Sequence, residues 1–253
     1  MILRRIRRAV ALGFVCVFVI LRYWMARLRG PMTLERRALW LQESARMALG
    51  CLDIETQVEG EPPSCGMVVA NHLSYLDIVI ISAVMPCFFV AKIEVDRWPF
   101  FGRAARMGGT IFLDRTSPAS AISAAEQIAE RLRLPVPVLL FPEGTSTDGS
   151  QVLRFHSRLI DPATIAGAPI TAAAFRYVID GGVEERELCW YGDEKFITHV
   201  WKVLGVAGFS AQLWFGEPQI YSDRREAADR THAEITAWRE AGALAMQSAL
   251  AAR

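Results

Sequence analysis

The 253-residue chain is without the signatures that mark several large enzyme classes. It has no G-x-S-x-G elbow, no G-x-x-x-x-G-K-S/T loop, no G-x-G-x-x-G turn and no H-E-x-x-H pair. Serine hydrolase, nucleotide-binding and zinc-protease readings therefore lose their usual support. Cysteine is sparse, with five residues at 16, 51, 65, 87 and 189 and no C-x-x-C pair. That spacing excludes a zinc framework and a disulfide scaffold, and fits reduced thiols packed as small hydrophobes. No cysteine sits in a basic turn, which argues against a thiolate nucleophile. Histidine occurs only at 72, 156, 199 and 232, and lysine only three times against 25 arginines. Net charge is nearly absent at +1, while 52% of the chain is hydrophobic and 22% charged. Such a composition excludes disorder, and the length suits one α/β domain.

The small net charge hides a split. Residues 1–50 hold ten arginines against Glu35 and Glu43, a balance of +8. The rest holds 18 basic against 25 acidic residues, a balance of −7. A basic, apolar head on a mildly acidic body fits a membrane partner and no nucleic acid. After the Arg4–Arg8 cluster, residues 9–26 are apolar except for Arg22. As a helix at ~1.5 Å per residue this run is roughly 27 Å long, just short of a ~30 Å hydrocarbon core. Trp24 and Tyr23 suit an interface, and Arg22 can snorkel. A cleaved signal peptide is the rival reading, but arginines fill the expected cleavage region. Residues 33–50 carry Leu34, Ala38, Leu41, Ala45, Ala48 and Leu49 at helical spacing, and Gly30-Pro31 separates the two segments. Residues 1–50 are thus expected to form a membrane-associated two-helix module lying partly in the bilayer surface, and residues 51–253 a second domain. One spanning helix followed by a core helix is the alternative.

Beyond residue 54, short apolar runs alternate with helical periods. The expected strands are Gly66–Ala70, Cys87–Ala91, Gly109–Asp114, Val136–Phe141, Ile170–Val178 and Ala211–Phe215. Ser117-Pro118 opens a helix whose apolar face ends at Leu132, and an alanine-rich helix starts near Asp223. The pattern predicts an α/β fold, a mixed sheet with flanking helices.

Three segments carry chemistry. In VVANHLSYLDIVIISAV, a strand ends at Asn71-His72, and Ser74-x-x-Asp77 reads as a helix start near Tyr75, ending before Pro86. Asp77 then faces back toward His72, and a carboxylate that fixes an imidazole tautomer makes a general base. Helix capping by Asp77 and loop hydrogen bonding by His72 are the competing roles. Pro142 to Ser146 form a turn after the buried Val138–Phe141 run, at a sheet edge where α/β ligands bind; an ordinary polar turn is the alternative. Gly108, Gly109 and Arg115 bracket a third run. Arg115 suits a bidentate phosphate contact or an ion pair with Asp114 or Glu143, and Lys92 is a further anion anchor. His156 is expected to be a partly exposed structural residue, and His199 and His232 to lie on helical surfaces. The stripe from Trp201 to Phe215 is expected in the core.

Together these segments resemble the glycerolipid acyltransferases, the 1-acyl-sn-glycerol-3-phosphate acyltransferase family. Asn71-His72 with Asp77 is similar to its N-H-x-x-x-x-D block. Gly109, Phe112 and Arg115 match G-x-x-F-x-x-R, and residues 141–146 match F-P-E-G-T-S/R. Ala168-Pro169-Ile170 matches a fourth block loosely, and Lys92, Glu94, Pro99 and Gly102 resemble the segment between the first two. The resemblance covers about residues 50–218. It implies transfer of a fatty acyl chain from acyl-CoA or acyl carrier protein to the sn-2 hydroxyl of 1-acyl-glycerol-3-phosphate, giving phosphatidic acid. His72 and Asp77 would be the catalytic pair. Arg115, Glu143, Gly144 and Thr145, with Lys92, would bind the acceptor. No metal, no cofactor and no acyl-enzyme are implied. The implied partners are the bilayer, a lysophospholipid acceptor and the acyl donor, with the site on the cytoplasmic face of a bacterial inner membrane. A lyso-ornithine lipid acceptor, a thioesterase and a non-catalytic lipid-binding protein are the alternatives.

Overall fold

The structure, a computed structural model, describes residues 1–98, 100–179 and 184–251, and the side chains up to residue 244. Pro99, one of the resemblance positions, lies outside the described residues. The chain opens with two helices, α1 (Ile2–Leu28) and α2 (Leu34–Leu52), followed by strand β1 (Ile54–Glu59). Then come β2 (Met67–Ala70), α3 (Tyr75–Val84), β3 (Phe88–Lys92), α4 (Ile93–Asp96), α5 (Phe101–Gly108) and β4 (Ile111–Leu113). The second half holds α6 (Pro118–Arg131), β5 (Val138–Leu140), α7 (Asp161–Ile165), β6 (Ile170–Val178), α8 (Phe196–Val203), β7 (Phe209–Phe215) and α9 (Arg224–Ala251).

Among the described residues, seven strands form one sheet in the order β1-β7-β6-β2-β5-β3-β4. Every pairing is parallel except β6 with β7. The central strands are apolar on both faces, as strands covered by helices on both sides must be. Their side chains alternate between two cores. Val68 and Ala70 join Leu49, Leu73, Leu76 and Ile80 on the α2–α3 side. Met67 and Val69 join Ala124, Ile128, Ala227 and Ile235 on the α6–α9 side. The result is the expected mixed sheet between helical layers.

Helix starts follow the sequence closely. Thr33 caps α2 and Ser117 caps α6, each accepting a backbone N–H, and α6 has Pro118 in its first turn. Three expectations need correction. The strand β1 has no counterpart among the six expected ones, because IETQVE lies at the sheet edge with five of its six residues exposed and so has no alternating pattern. His199 is fully buried instead of on a helix surface. Its helix α8 turns an aromatic face inward, where Nδ1 meets the Tyr75 hydroxyl at 3.1 Å and the Tyr75 ring stands edge-on. The stripe near residue 201 is core from Leu204 to Phe215, but Trp201 itself is exposed.

Candidate active site

Parallel neighbours end on the same edge of a sheet, and this sheet uses that fact. The chain leaves β2 into His72, β3 ends at Lys92, β4 runs on to Arg115, and β5 runs into Phe141–Ser146. Because these strands are mutually parallel, the four segments converge at their carboxyl ends, where open α/β sheets bind ligands. There they line a cavity of about 500 Å³ with His72, Lys92, Arg115, Gly144, Thr145 and Ser146 on its polar side. Ile78, Phe89, Trp98 and Trp190 supply an apolar wall. Trp98 and Trp190 meet edge-on at 5.6 Å, which gives that wall a fixed shape.

His72 is held by four contacts. Its Nδ1 lies 2.8 Å from Asp77 Oδ2, and its ring stacks on Phe141 with centroids 4.1 Å apart. Its backbone N–H donates to Glu143 Oε1 at 2.7 Å, and its carbonyl accepts from Thr147 N at 3.0 Å. The Asp77 carboxylate fixes the Nδ1–H tautomer, leaving Nε2 as the ring nitrogen available to the cavity. Asp77 is fully buried and also accepts N–H groups from Leu73 at 2.7 Å and Ser74 at 3.0 Å. So one carboxylate both starts helix α3 and orients the imidazole. The two competing roles of Asp77 are filled at once. Its other oxygen accepts from the Tyr177 hydroxyl.

Two cations share this polar side. Lys92 is at the mouth, and desolvation together with the nearby Arg115 guanidinium lowers its ammonium below the ordinary range. Two cations this close repel each other, which an anion between them would relieve. Gly144 has φ +73°, and a Cβ there would stand 2.8 Å from both terminal nitrogens of Arg115. Glycine is thus favoured by the turn, and its lack of a side chain lets the guanidinium lie against the backbone where it now sits. Among the described residues Arg115 makes no ion pair with Asp114 or Glu143. Asp114 is occupied with Thr116 instead.

Glu143, expected at the acceptor, stands beneath the cavity. It is 4% exposed, and its second oxygen accepts from Leu153 N at 2.9 Å. Burial pushes its carboxyl up to about 7, against the two backbone N–H groups that hold it down. His156 is exposed and gives its backbone N–H to Pro142 O. His232 is half-buried, near Val152 O and the Phe155 ring.

The roles of the remaining polar groups, Asn71 of the first block among them, carry no local signal in the sequence. Asn71 bridges β2 to β6 as a peptide mimic, donating to Phe175 O at 3.2 Å and accepting from Phe175 N at 2.7 Å. Arg239 of α9 grips Glu185 at 2.7 and 2.8 Å. Tyr177 lies 100 residues from Asp77 in a strand that also carries Thr171 and Arg176, and only the fold reveals their meeting.

The family model described as Acyltransferase matches residues 56–176. The chain is 34% identical over 221 residues to a lyso-ornithine lipid O-acyltransferase of Pseudomonas aeruginosa, covering 84% of this chain and 83% of that one. It is 32% identical over 200 residues to a 1-acyl-sn-glycerol-3-phosphate acyltransferase of Neisseria meningitidis, covering 78% and 76%. Among solved structures, the 1-acyl-sn-glycerophosphate acyltransferase PlsC of Thermotoga maritima has the same fold, with a TM-score of 0.69 at 19% identity over 94% of each chain.

Proposed function

The chain belongs to the 1-acyl-sn-glycerol-3-phosphate acyltransferase family of glycerolipid acyltransferases, and on that premise we propose that it acylates the sn-2 hydroxyl of 1-acyl-glycerol-3-phosphate to phosphatidic acid. The observation that carries the reaction is the His72–Asp77 pair at 2.8 Å in the wall of a cavity that also holds Arg115 and Lys92. His72 Nε2 takes the proton of the acceptor hydroxyl as that oxygen attacks the thioester carbonyl. Asp77 stabilises the imidazolium so formed. The tetrahedral intermediate collapses, the carbon–sulfur bond breaks, and the departing thiolate takes the proton back from His72. Transfer is direct, so no serine or cysteine nucleophile is needed, and the chemistry asks for no metal or cofactor.

Arg115 and Lys92 match a phosphate monoester, whose two negative charges offset two converging cations. The Trp98–Trp190 wall offers apolar surface to an acyl chain from acyl-CoA or acyl carrier protein. A lyso-ornithine lipid acceptor is the second reading, favoured by the Pseudomonas relative and by Glu94 in the same cavity wall. An ornithine headgroup pairs a carboxylate with an ammonium, and Glu94 would face the latter. Helices α1 and α2 would hold the site against the cytoplasmic face of the bacterial inner membrane, where the acceptor lipid and the donor meet.

The test is acyl transfer by detergent-solubilised protein from labelled acyl-CoA and acyl carrier protein to a panel of lysolipids, beside His72→Ala. Labelled phosphatidic acid, lost by at least ~100-fold in the variant, is the expected result. Labelled ornithine lipid would keep the base and move the acceptor. Free fatty acid alone would make the protein a thioesterase, and turnover that survives the substitution would remove His72 as the base.

A further inference from the structure

The structure assigns Tyr177 as a positioning residue of acyl transfer, its phenol holding the Asp77 carboxylate in the one orientation that serves His72. The assignment rests on His72 being the base, as proposed above.

Asp77 is fully buried, and a buried carboxylate stays ionised only if donors surround it. On Oδ2 it has three: the His72 ring, Leu73 N and Ser74 N. On Oδ1 the donor is the Tyr177 hydroxyl. Without that hydroxyl, Oδ1 is buried with no donor, and the carboxylate gains one only by turning away from the imidazole. A carboxylate turned away no longer stabilises the imidazolium that forms during transfer.

Tyr177 suits this task and no packing role explains its oxygen. The side chain is 1% exposed among apolar neighbours, with Phe209 edge-on at 5.4 Å. Phenylalanine would fill the same space without the cost of desolvating a hydroxyl. The residue is also fixed at its backbone, where its N–H donates to Glu185 Oε1 at 2.8 Å. Burial and the neighbouring Asp77 push the phenol well above its usual range, so it remains a donor. A continuous set of contacts therefore runs from Arg239 of α9 through Glu185 and Tyr177 to Asp77 and His72.

The charged and titratable groups around this carboxylate are His72 on its own loop, Glu143 beneath, Tyr177 on β6, and Glu185, Cys189, Asp148 and Arg239 behind it. None of them donates to Oδ1 in place of Tyr177 among the described residues. Loss of the phenol leaves the balance of charge around Asp77 otherwise unchanged, which makes the pH profile a clean readout.

The experiment measures kcat and KM from pH 5 to 9 on the solubilised full chain, with lysophosphatidic acid and lyso-ornithine lipid as acceptors. It compares wild type, His72→Ala, Tyr177→Phe, Asp77→Asn and the Tyr177→Phe/Asp77→Asn double variant. For Tyr177→Phe, kcat is expected to fall roughly 10-fold, as for loss of a hydrogen bond to a charged group. KM should stay within about twofold, and the acidic limb of kcat should move to lower pH by about one unit, because the base is then less well stabilised in its protonated form. In the Asp77→Asn background the substitution should cost nothing further, since it acts through Asp77. A loss of kcat that is uniform across pH, or that multiplies with Asp77→Asn, would make Tyr177 a packing residue and overturn the assignment. Wild-type rates in Tyr177→Phe would do the same. Activity persisting in His72→Ala would instead sink the base on which it rests.

Discussion

The carboxylate of Glu143 accepts two backbone N–H groups, which favours its ionised form, while burial favours the neutral one, and burial wins. Its pKa of about 7 stands well above the ~4.3 of a glutamate in the unfolded chain. Between those values the native state holds more protons than the unfolded one, so stability is kept at low pH and declines as pH rises through the window. The full decline is on the order of 3 kcal/mol. In Glu143→Gln that slope should vanish, so unfolding midpoints measured from pH 4 to 8 should fall for wild type and stay level for the variant. The amide accepts only one of the two N–H groups, so the loop from Leu153 or the peptide of His72 loses its partner and turnover should drop roughly 10-fold. A wild-type midpoint that rises across the same range would show that Glu143 is ionised throughout.

At the scale of elements, the site exists because β2, β3, β4 and β5 are parallel and end together. That much was readable. Six of the seven strands announce themselves as apolar runs, and the start of α3 is marked by Ser74 and Asp77. The blocks around His72, Arg115 and Gly144 name loops that the fold brings to one cavity. What local pattern cannot express is where a side chain turns. Glu143 belongs to the same block as Gly144 yet points beneath the cavity, and His199, expected on a helix surface, faces an aromatic cluster. The role of α9 is of the same kind, since nothing in an alanine-rich helix says that Arg239 reaches Phe175 O at 2.9 Å and both oxygens of Glu185. Arg239 and Glu185 are mostly buried, with side chains 10% and 16% exposed. Arg239→Met would leave the Glu185 carboxylate buried without its cation, a cost of about 3–5 kcal/mol. Urea unfolding should show that loss, and replacing both residues by Met and Gln should recover part of it. A change under about 0.5 kcal/mol would mean that the pair is solvated in practice and that α9 is held by its apolar face alone.

The whole molecule is asymmetric about α1. Its first turns are pinned to the body: Arg8 is buried and reaches Asp53 at 2.6 Å and Ala207 O at 3.0 Å, while Arg4 reaches Gly205 O at 3.1 Å. Its far end is pinned by Tyr23, edge-on to Trp40 at 5.2 Å, and by Trp40 Nε1 donating to Val19 O at 2.9 Å. Between these anchors Phe14, Val17, Phe18 and Leu21 stand half or more exposed. The helix is long and apolar enough to cross a membrane by length and composition. A helix fastened to the body at both ends, with one apolar face turned outward and arginines at its flanks, is better suited to lie in the plane of the interface. Burying each phenylalanine contributes ~1.5–3 kcal/mol, so Phe14→Glu/Phe18→Glu should weaken partition onto vesicles by at least ~100-fold. Because neither residue lines the His72 cavity, turnover of a short-chain acceptor in solution should remain near wild type. The two geometries separate in alkaline carbonate. A helix in the interface is stripped from the vesicles there, and wild-type protein that stays in the pellet would show that α1 crosses the bilayer and leaves its anchors to do so.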